Sequence, residues 1–236
     1  MEARGTGRSS RSRTWRRRQL ARVVALLDDA YGRPLLTPRL PPVDELVYTV
    51  LSQNTADVNT DRTFAALRRR FPTWSAVRDA PVAEVEAAIS LGGLAATKAP
   101  RIKAILAALS APGEGGEPDL GALDGLDDAA AAAWLEALPG VGPKTAACVL
   151  LFSLGRPVMP VDTHVHRLAR RLGLIDDVVT AEQAHPLLTA LAGPGPAQIY
   201  AAHVDLVRHG RHVCHARRPR CGECVLAGLC PSAGTG

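Results

Sequence analysis

Leu138-Pro-Gly-Val-Gly-Pro-Lys-Thr-Ala146, with the apolar run that follows it to Phe152, decides how the chain is read. Gly140 and Gly142 lie two apart around one apolar residue. Lacking Cβ atoms, they permit a tight turn whose backbone can approach another molecule closely. Pro143 has the fixed φ that suits a first helical position, so the spacing predicts a helix opening with Lys144 and Thr145. The free N–H groups at such an opening attract anions, phosphate above all. A lysine there is unusual, because the positive end of the helix dipole disfavours its charged form. It points either to a phosphate clamp or to an amine nucleophile.

The composition sets the bounds. The 236 residues suffice for one large or two small domains. Apolar residues make up 47% but aromatics only 4%, and the Ala- and Leu-rich balance favours a mostly helical protein. A net charge of +5 suits a polyanionic partner, although a merely basic protein carries as much. No apolar run approaches a membrane span. The Arg-rich start (Arg4–Arg18) is followed by Leu20–Leu27, but Asp28 and Asp29 interrupt any secretory core. These features predict no membrane association and a cytoplasmic protein without a secretion signal. Five cysteines, four of them bunched near the end, argue for a metal site in a reducing compartment.

The chain reads as helices throughout. Residues 1–14 are expected to be a disordered basic tail. Leu20, Val23, Val24 and Leu27 give a first helix to Tyr31, and Pro34–Pro42 a linker. Helices follow to Ser52 and over Val58–Phe71, Val82–Ile89, Lys98–Leu109 and Asp127–Leu138. Asp162 reads as the N-cap of a helix ending at Leu172-Gly173. Thr180 and Gln183 have capping-box spacing, and Ala197–His209 is the last long helix. No strand alternation appears, so the fold class is all-α.

Two further stretches stand out. Pro160-Val-Asp-Thr-His-Val-His-Arg167 places Asp162 at a helix start, where an aspartate by itself is no more than a cap. His164 and His166 lie at no metal spacing from the cysteines. Cys214-x6-Cys221-x2-Cys224-x5-Cys230 could hold zinc, but structural zinc more often uses two short knuckles and only Cys221/Cys224 is one. Arginines crowd this loop, among them Arg217, Arg218 and Arg220. Cys148, in an apolar helix, reads as a buried small residue.

Together the glycine hairpin, the Asp162 segment and the cysteine loop, in that order, resemble the DNA glycosylases of the endonuclease III family, over nearly everything from Leu20 to Cys230. The resemblance implies two helical lobes: a six-helix helix-hairpin-helix domain (41–154), and an iron–sulfur cluster domain made of 15–40 plus 155–236, with the active cleft between them. It implies a 4Fe-4S cluster on Cys214, Cys221, Cys224 and Cys230. It makes Lys144 the nucleophile that becomes an imine with the sugar, and Asp162 the carboxylate that assists it. It assigns Gly140, Gly142 and Thr145 to phosphate, and Arg217, Arg218 and Arg220 to the DNA backbone. Leu51-Ser-Gln-Asn-Thr-Ala-Asp57 resembles the segment that fills the gap left by an extruded nucleotide. Alignment puts Asn54 at that position, with Gln53 adjacent. Leu91-Gly-Gly-Leu94 resembles the loop bearing a leucine wedge, and Leu94 matches it. Asn54, Ala95 and Pro143 depart from the usual residues of the family, all around the lesion.

The implied activity is that of a bifunctional glycosylase and abasic-site lyase, a monomer acting on oxidised pyrimidines in the double-stranded DNA of a bacterial nucleoid. A monofunctional relative has no need of Lys144. A non-catalytic module for damaged DNA has no need of both Lys144 and Asp162.

Overall fold

The protein is described here by a computed structural model covering residues 11–37, 40–110 and 116–234. The expected basic tail lies outside the described residues over 1–10, and at 11–14 the expectation of disorder is corrected. Ser12 caps a helix by accepting the Trp15 N–H at 3.2 Å. The Arg11 guanidinium lies 4.3 Å from the centroid of the Trp15 ring. The first helix, α1, is therefore Arg13–Tyr31. A cap sets its start, about two turns before the first core leucine, Leu20.

Ten more helices follow among the described residues: α2 Pro42–Ser52, α3 Asp57–Arg70, α4 Trp74–Asp79, α5 Val82–Ile89, α6 Ala95–Ala108, α7 Asp128–Glu136, α8 Pro143–Cys148, α9 Thr163–Arg171, α10 Ala181–Ala192 and α11 Pro196–His212. A π-helical segment, Val149–Ser153, continues α8. No strand occurs among the described residues, and no helix there is long and apolar enough to cross a membrane.

The chain forms two compact units, Thr37–Arg156 and the remainder, Met1–Leu36 with Pro157–Gly236. In the first, α2 packs on α3 and α8, and α6 packs on α4 and α5. Leu46, Val50, Leu67, Val77, Ile102, Ile105, Leu135 and Leu150 are buried there. In the second, α11 packs on α9 and α1, and α1 on α10, around Leu20, Val23, Leu27, Val165, Leu188 and Leu206. Gln19 on α1 donates from Nε2 to the Leu229 carbonyl at 2.7 Å, tying the cysteine loop to that core.

Two helices differ from their expected bounds for physical reasons. α4 was not expected at all. Its start is capped by Thr73, which accepts the Ala76 N–H, and by Glu117, whose carboxylate accepts the Trp74 and Ser75 N–H groups at 2.5 and 3.0 Å. Burial pushes the Glu117 carboxyl up, but the hydrogen bonds from Ser75 and Trp74 outweigh it and hold the group below its ordinary value. α6 starts a turn before Lys98 and runs through Pro100. That proline is exposed, so water can reach the carbonyl whose partner it removes.

Among the described residues, buried carboxyl oxygens of Asp205 and Asp28 are short of a donor. Asp205 on α11 is fully buried and neither of its carboxyl oxygens meets one; Asp28 Oδ1 on α1 is likewise unpartnered. Burial, and then the Asp28 carboxyl beside it, push the Asp205 carboxyl up to about 7 against the pull of Arg208 and Arg33. Two carboxyls in contact are satisfied by one shared proton. The folded state thus binds this proton more tightly than the unfolded chain. Its stabilisation is full below the unfolded value of 3.8 and is lost as pH rises through about 7. Each unit of such a difference is worth about 1.4 kcal/mol. Asp205→Asn supplies an amide donor in place of the proton. Its melting temperature should gain on the wild type as pH rises from about 5 to about 7.5. A gap that stays constant over that range would show that no proton is shared.

Candidate functional site

The hairpin joins α7 to α8. Val141 N–H donates to the Leu138 carbonyl at 3.1 Å, closing a turn in which Gly140 takes φ +71°. L side chains rarely enter that region. A Cβ there would also fall 2.4 Å from Nε of Arg101. Gly142 precedes the helix with φ −108° and ψ 177°, and nothing lies within 4 Å of where its Cβ would be. Pro143 occupies the first helical position. Lys144, next along, is half-buried, and no hydrogen bond or ion pair among the described residues engages its amine. Thr145 points inward, 3% exposed, and its hydroxyl accepts a long 3.4 Å bond from Gln53 Nε2. Its expected contact with phosphate is therefore restricted to the backbone N–H.

Gln53 and Asn54 have different surroundings. Arg101 donates from Nη1 to Gln53 Oε1 at 2.9 Å, so Gln53 is held at both ends of its amide. Asn54 is exposed and stands in the left-handed region at φ +54°. Leu94 does the same at φ +55°; with 56% of its surface exposed it is no core residue. Ala95 begins α6 directly behind it. Sequence reasoning missed what supports these two positions. Lys98, only 2% exposed, donates from Nζ to the Leu51 carbonyl at 2.6 Å and to Thr55 Oγ1 at 2.7 Å. The available signal was a lysine at helical spacing from Ala95 and Ile102, on the face that Ile102 and Ile105 bury.

Asp162 is an N-cap, as its position predicts. A single oxygen, Oδ1, accepts both the His164 N–H at 2.9 Å and the Val165 N–H at 2.8 Å. No described residue donates to Oδ2. The segment before it is fixed by two histidines the sequence did not single out: His185 Nδ1 lies 2.9 Å from the Met159 carbonyl and His203 Nδ1 2.9 Å from that of Pro160. His166 bonds the Val179 carbonyl through Nε2 at 2.8 Å, and His164 Nδ1 meets Arg167 Nη2 at 3.0 Å. Both pack within their own unit.

The cysteine loop closes over a cavity of about 200 Å³ lined by Cys214, Cys221, Cys224 and Cys230. None of the four is in a disulfide, and Cys148 is buried elsewhere. Among the described residues no three His, Cys, Asp or Glu side chains converge enough to hold one ion. The donor set is four thiols spread around a shared space, which fits a cluster better than a single zinc. Burial raises the Cys224 and Cys230 thiols, and the neighbouring thiols push them the same way. Iron would reverse that by deprotonating its ligands. Hydrogen bonds reach the sulfurs: Arg171 Nη1 donates to Cys214 Sγ at 3.1 Å, and His209 Nε2 lies 3.3 Å from Cys224 Sγ. Tyr31 holds the other face of His209, its hydroxyl 2.8 Å from Nδ1.

Around the rim, Arg217 and Arg218 are exposed, and no carboxylate among the described residues pairs with either. Arg218 is in the left-handed region at φ +53°. Arg220 is partly offset by Glu223 at 3.8 Å. Arg208 faces inward and donates to the Tyr31 carbonyl at 2.9 Å.

Comparison with known proteins agrees with this geometry. Residues 47–194 match the HhH-GPD superfamily of base excision DNA repair proteins, and residues 214–230 the iron–sulfur binding domain of endonuclease III. The chain is 34% identical to endonuclease III of Escherichia coli K12 over 80% of its own length and 83% of the relative's. With endonuclease III of Synechocystis the identity is 34%, covering 81% and 82%. A putative DNA glycosylase of Arabidopsis thaliana is 44% identical, but the match spans 56% of this chain and 45% of the plant protein. Among solved structures, a non-covalent endonuclease III–DNA complex superposes with a TM-score of 0.77 at 25% identity, covering 93% of this chain and 97% of the other.

The cysteine loop, residues 214–230, is accordingly the seat of a 4Fe-4S cluster. The purified protein should be brown and contain about four iron and four sulfide per chain. Colourless protein with one zinc per chain would contradict this.

Proposed function

Because the chain belongs to the endonuclease III family, within the helix-hairpin-helix superfamily of base excision DNA repair proteins, we propose that it is bifunctional: a glycosylase for oxidised pyrimidines in double-stranded DNA that also cuts the strand at abasic sites. Family membership makes it a DNA glycosylase; the lyase step, the lesion class and the residue roles are what we add. The observation that carries the proposal is Lys144, a half-buried amine without a partner among the described residues, at the start of a helix behind a turn with open space at Gly142.

The chemistry follows from what an amine can do. Unprotonated Lys144 Nζ attacks C1′ of an extruded nucleotide, the bond from C1′ to the base breaks, and the base leaves with a proton. The sugar ring opens to an imine on Nζ, and loss of a proton from C2′ expels the 3′ phosphate oxygen, cutting the strand by β-elimination. Asp162 suits the supporting role because its two oxygens can be divided. Oδ1 caps α9, while Oδ2 is left as an acceptor for a proton and for positive charge growing on the sugar.

Binding distributes over both units. The N–H groups of Gly140 and Gly142 serve phosphate. Asn54 fills the space vacated by the extruded nucleotide, since Gln53 is occupied by Arg101 and Thr145. Leu94 is the wedge. The 4Fe-4S cluster cross-links the loop that presents Arg217, Arg218 and, less freely, Arg220 to the DNA backbone. A monomer suffices for all of this, and the bacterial cytoplasm, at the nucleoid, is where such a substrate is met. The solved endonuclease III–DNA complexes among the structural neighbours support DNA as the partner.

Three outcomes test the proposal. Lys144→Ala should abolish strand cleavage at an abasic site while DNA binding persists; undiminished cleavage would refute the assignment. Asp162→Asn should keep the cap, because asparagine caps as well as aspartate, yet lower single-turnover cleavage by about 10² to 10⁴; a variant of unchanged rate would reduce Asp162 to a cap. Replacing Arg217 and Arg218 together with alanine should weaken binding equally on all sequences. It should also cut the salt dependence by about one counterion per lost phosphate contact. A slope that does not change would put those side chains in solvent.

A further inference from the structure

Three non-glycine residues among those described occupy the left-handed region: Asn54, Leu94 and Arg218. All three are positions assigned above to DNA. Such a conformation is sparsely populated and persists only where the surroundings over-determine it. For Asn54 and Leu94 the surroundings converge on one side chain.

Lys98 projects from α6 into the joint between the two segments. Its partners are the Leu51 carbonyl, Thr55 Oγ1 and, at 3.5 Å, the Gly92 carbonyl. An ammonium has three N–H donors and no acceptor, so these three oxygens match its capacity. A neutral amine would turn a lone pair toward one of them. No carboxylate is among the partners. Leu51 lies in the last turn of α2 and Gly92 ends a short 3₁₀ turn, Ser90–Gly92; both carbonyls sit where a helix end gathers negative charge. Asn54 comes three residues after the first carbonyl and Leu94 two after the second. Thr55 closes the knot by donating to the Gly92 carbonyl at 2.7 Å. The two segments are thus joined to each other as well as to α6.

We propose that Lys98 is a positioning residue whose buried ammonium fastens the Leu51–Thr55 and Leu91–Leu94 segments into one rigid body, so that Asn54 and Leu94 enter the duplex together. This rests on the reading above in which those two residues meet DNA. It assigns Lys98 no contact with substrate. Its effect is confined to substrates that require a nucleotide to be extruded from a stack and the gap to be held open. An abasic site in a single strand presents neither demand.

The test is the ratio of single-turnover cleavage rates for one abasic strand in duplex and alone. It is measured for the full chain with its cluster, after melting curves establish folding. Lys98→Met keeps the length and removes the charge. Thr55→Val removes the acceptor from a half-buried site, and Thr55→Ser retains it. The duplex-to-single-strand ratio should fall on the order of tenfold to a hundredfold in Lys98→Met. It should fall less in Thr55→Val and stay at the wild-type value in Thr55→Ser. Should Lys98→Met fail to fold, the contrast between Thr55→Val and Thr55→Ser decides alone. A ratio unchanged in the folded variants, whatever happens to the absolute rates, overturns the inference while leaving the enzymatic proposal intact. Wild-type protein inert on both substrates removes the two together.

Discussion

A single backbone conformation governs the reactive end of the hairpin unit. Gly140 stands at φ +71°, where a side chain costs about 1–2 kcal/mol, and the space a Cβ would need is filled by Arg101. Arg101 in turn holds Gln53, whose amide reaches Thr145. The turn, the Gln53 segment and the first turn of α8 are therefore one connected piece. Because Thr145 is drawn inward, its neighbour Lys144 is left at the surface of that piece with its amine uncommitted. The chemistry we assign to Lys144 depends on this division between adjacent residues.

The two units stabilise their irregular backbone by different means. In the hairpin unit a buried cation gathers neutral oxygens around itself, and two strained residues follow from that knot. In the other unit four cysteines surround a cavity, and the fold supplies polar contacts to the sulfurs from Arg171 and His209. Arg167 adds to this by donating from Nε to the Cys214 carbonyl at 3.0 Å. Both devices place a polar or charged group at a loop that helix packing alone would leave loose. The left-handed residues Asn54, Leu94 and Arg218 mark these loops in the two units.

What the sequence made legible was local. Asp162, Thr180 and Gln183 announce caps because a cap spans two or three residues, and each is found where the spacing puts it. The glycine turn and the helix start at Pro143 are readable for the same reason. The start of α1 was also local, yet Ser12 was lost among the arginines and glycines that surround it. Other features depend on partners distant in the chain. α4 is completed by Glu117, more than forty residues from its first N–H. Lys98 is fastened to Leu51 across 47 positions. Asp205 reads as an ordinary polar position on a helix until Asp28 is seen to face it. The exposure of Leu94 likewise escapes periodicity, since a leucine beside two glycines fits a core and a surface wedge equally well.

The central claim is that one particular amine becomes covalently joined to DNA. Treating the protein with borohydride in the presence of a duplex containing a single abasic site, then digesting the product and sequencing the cross-linked peptide by mass spectrometry, tests it most directly. The account predicts one reduced adduct, carried on the peptide that contains Lys144. An adduct on another lysine, or none although the site is bound and cleaved, would contradict it.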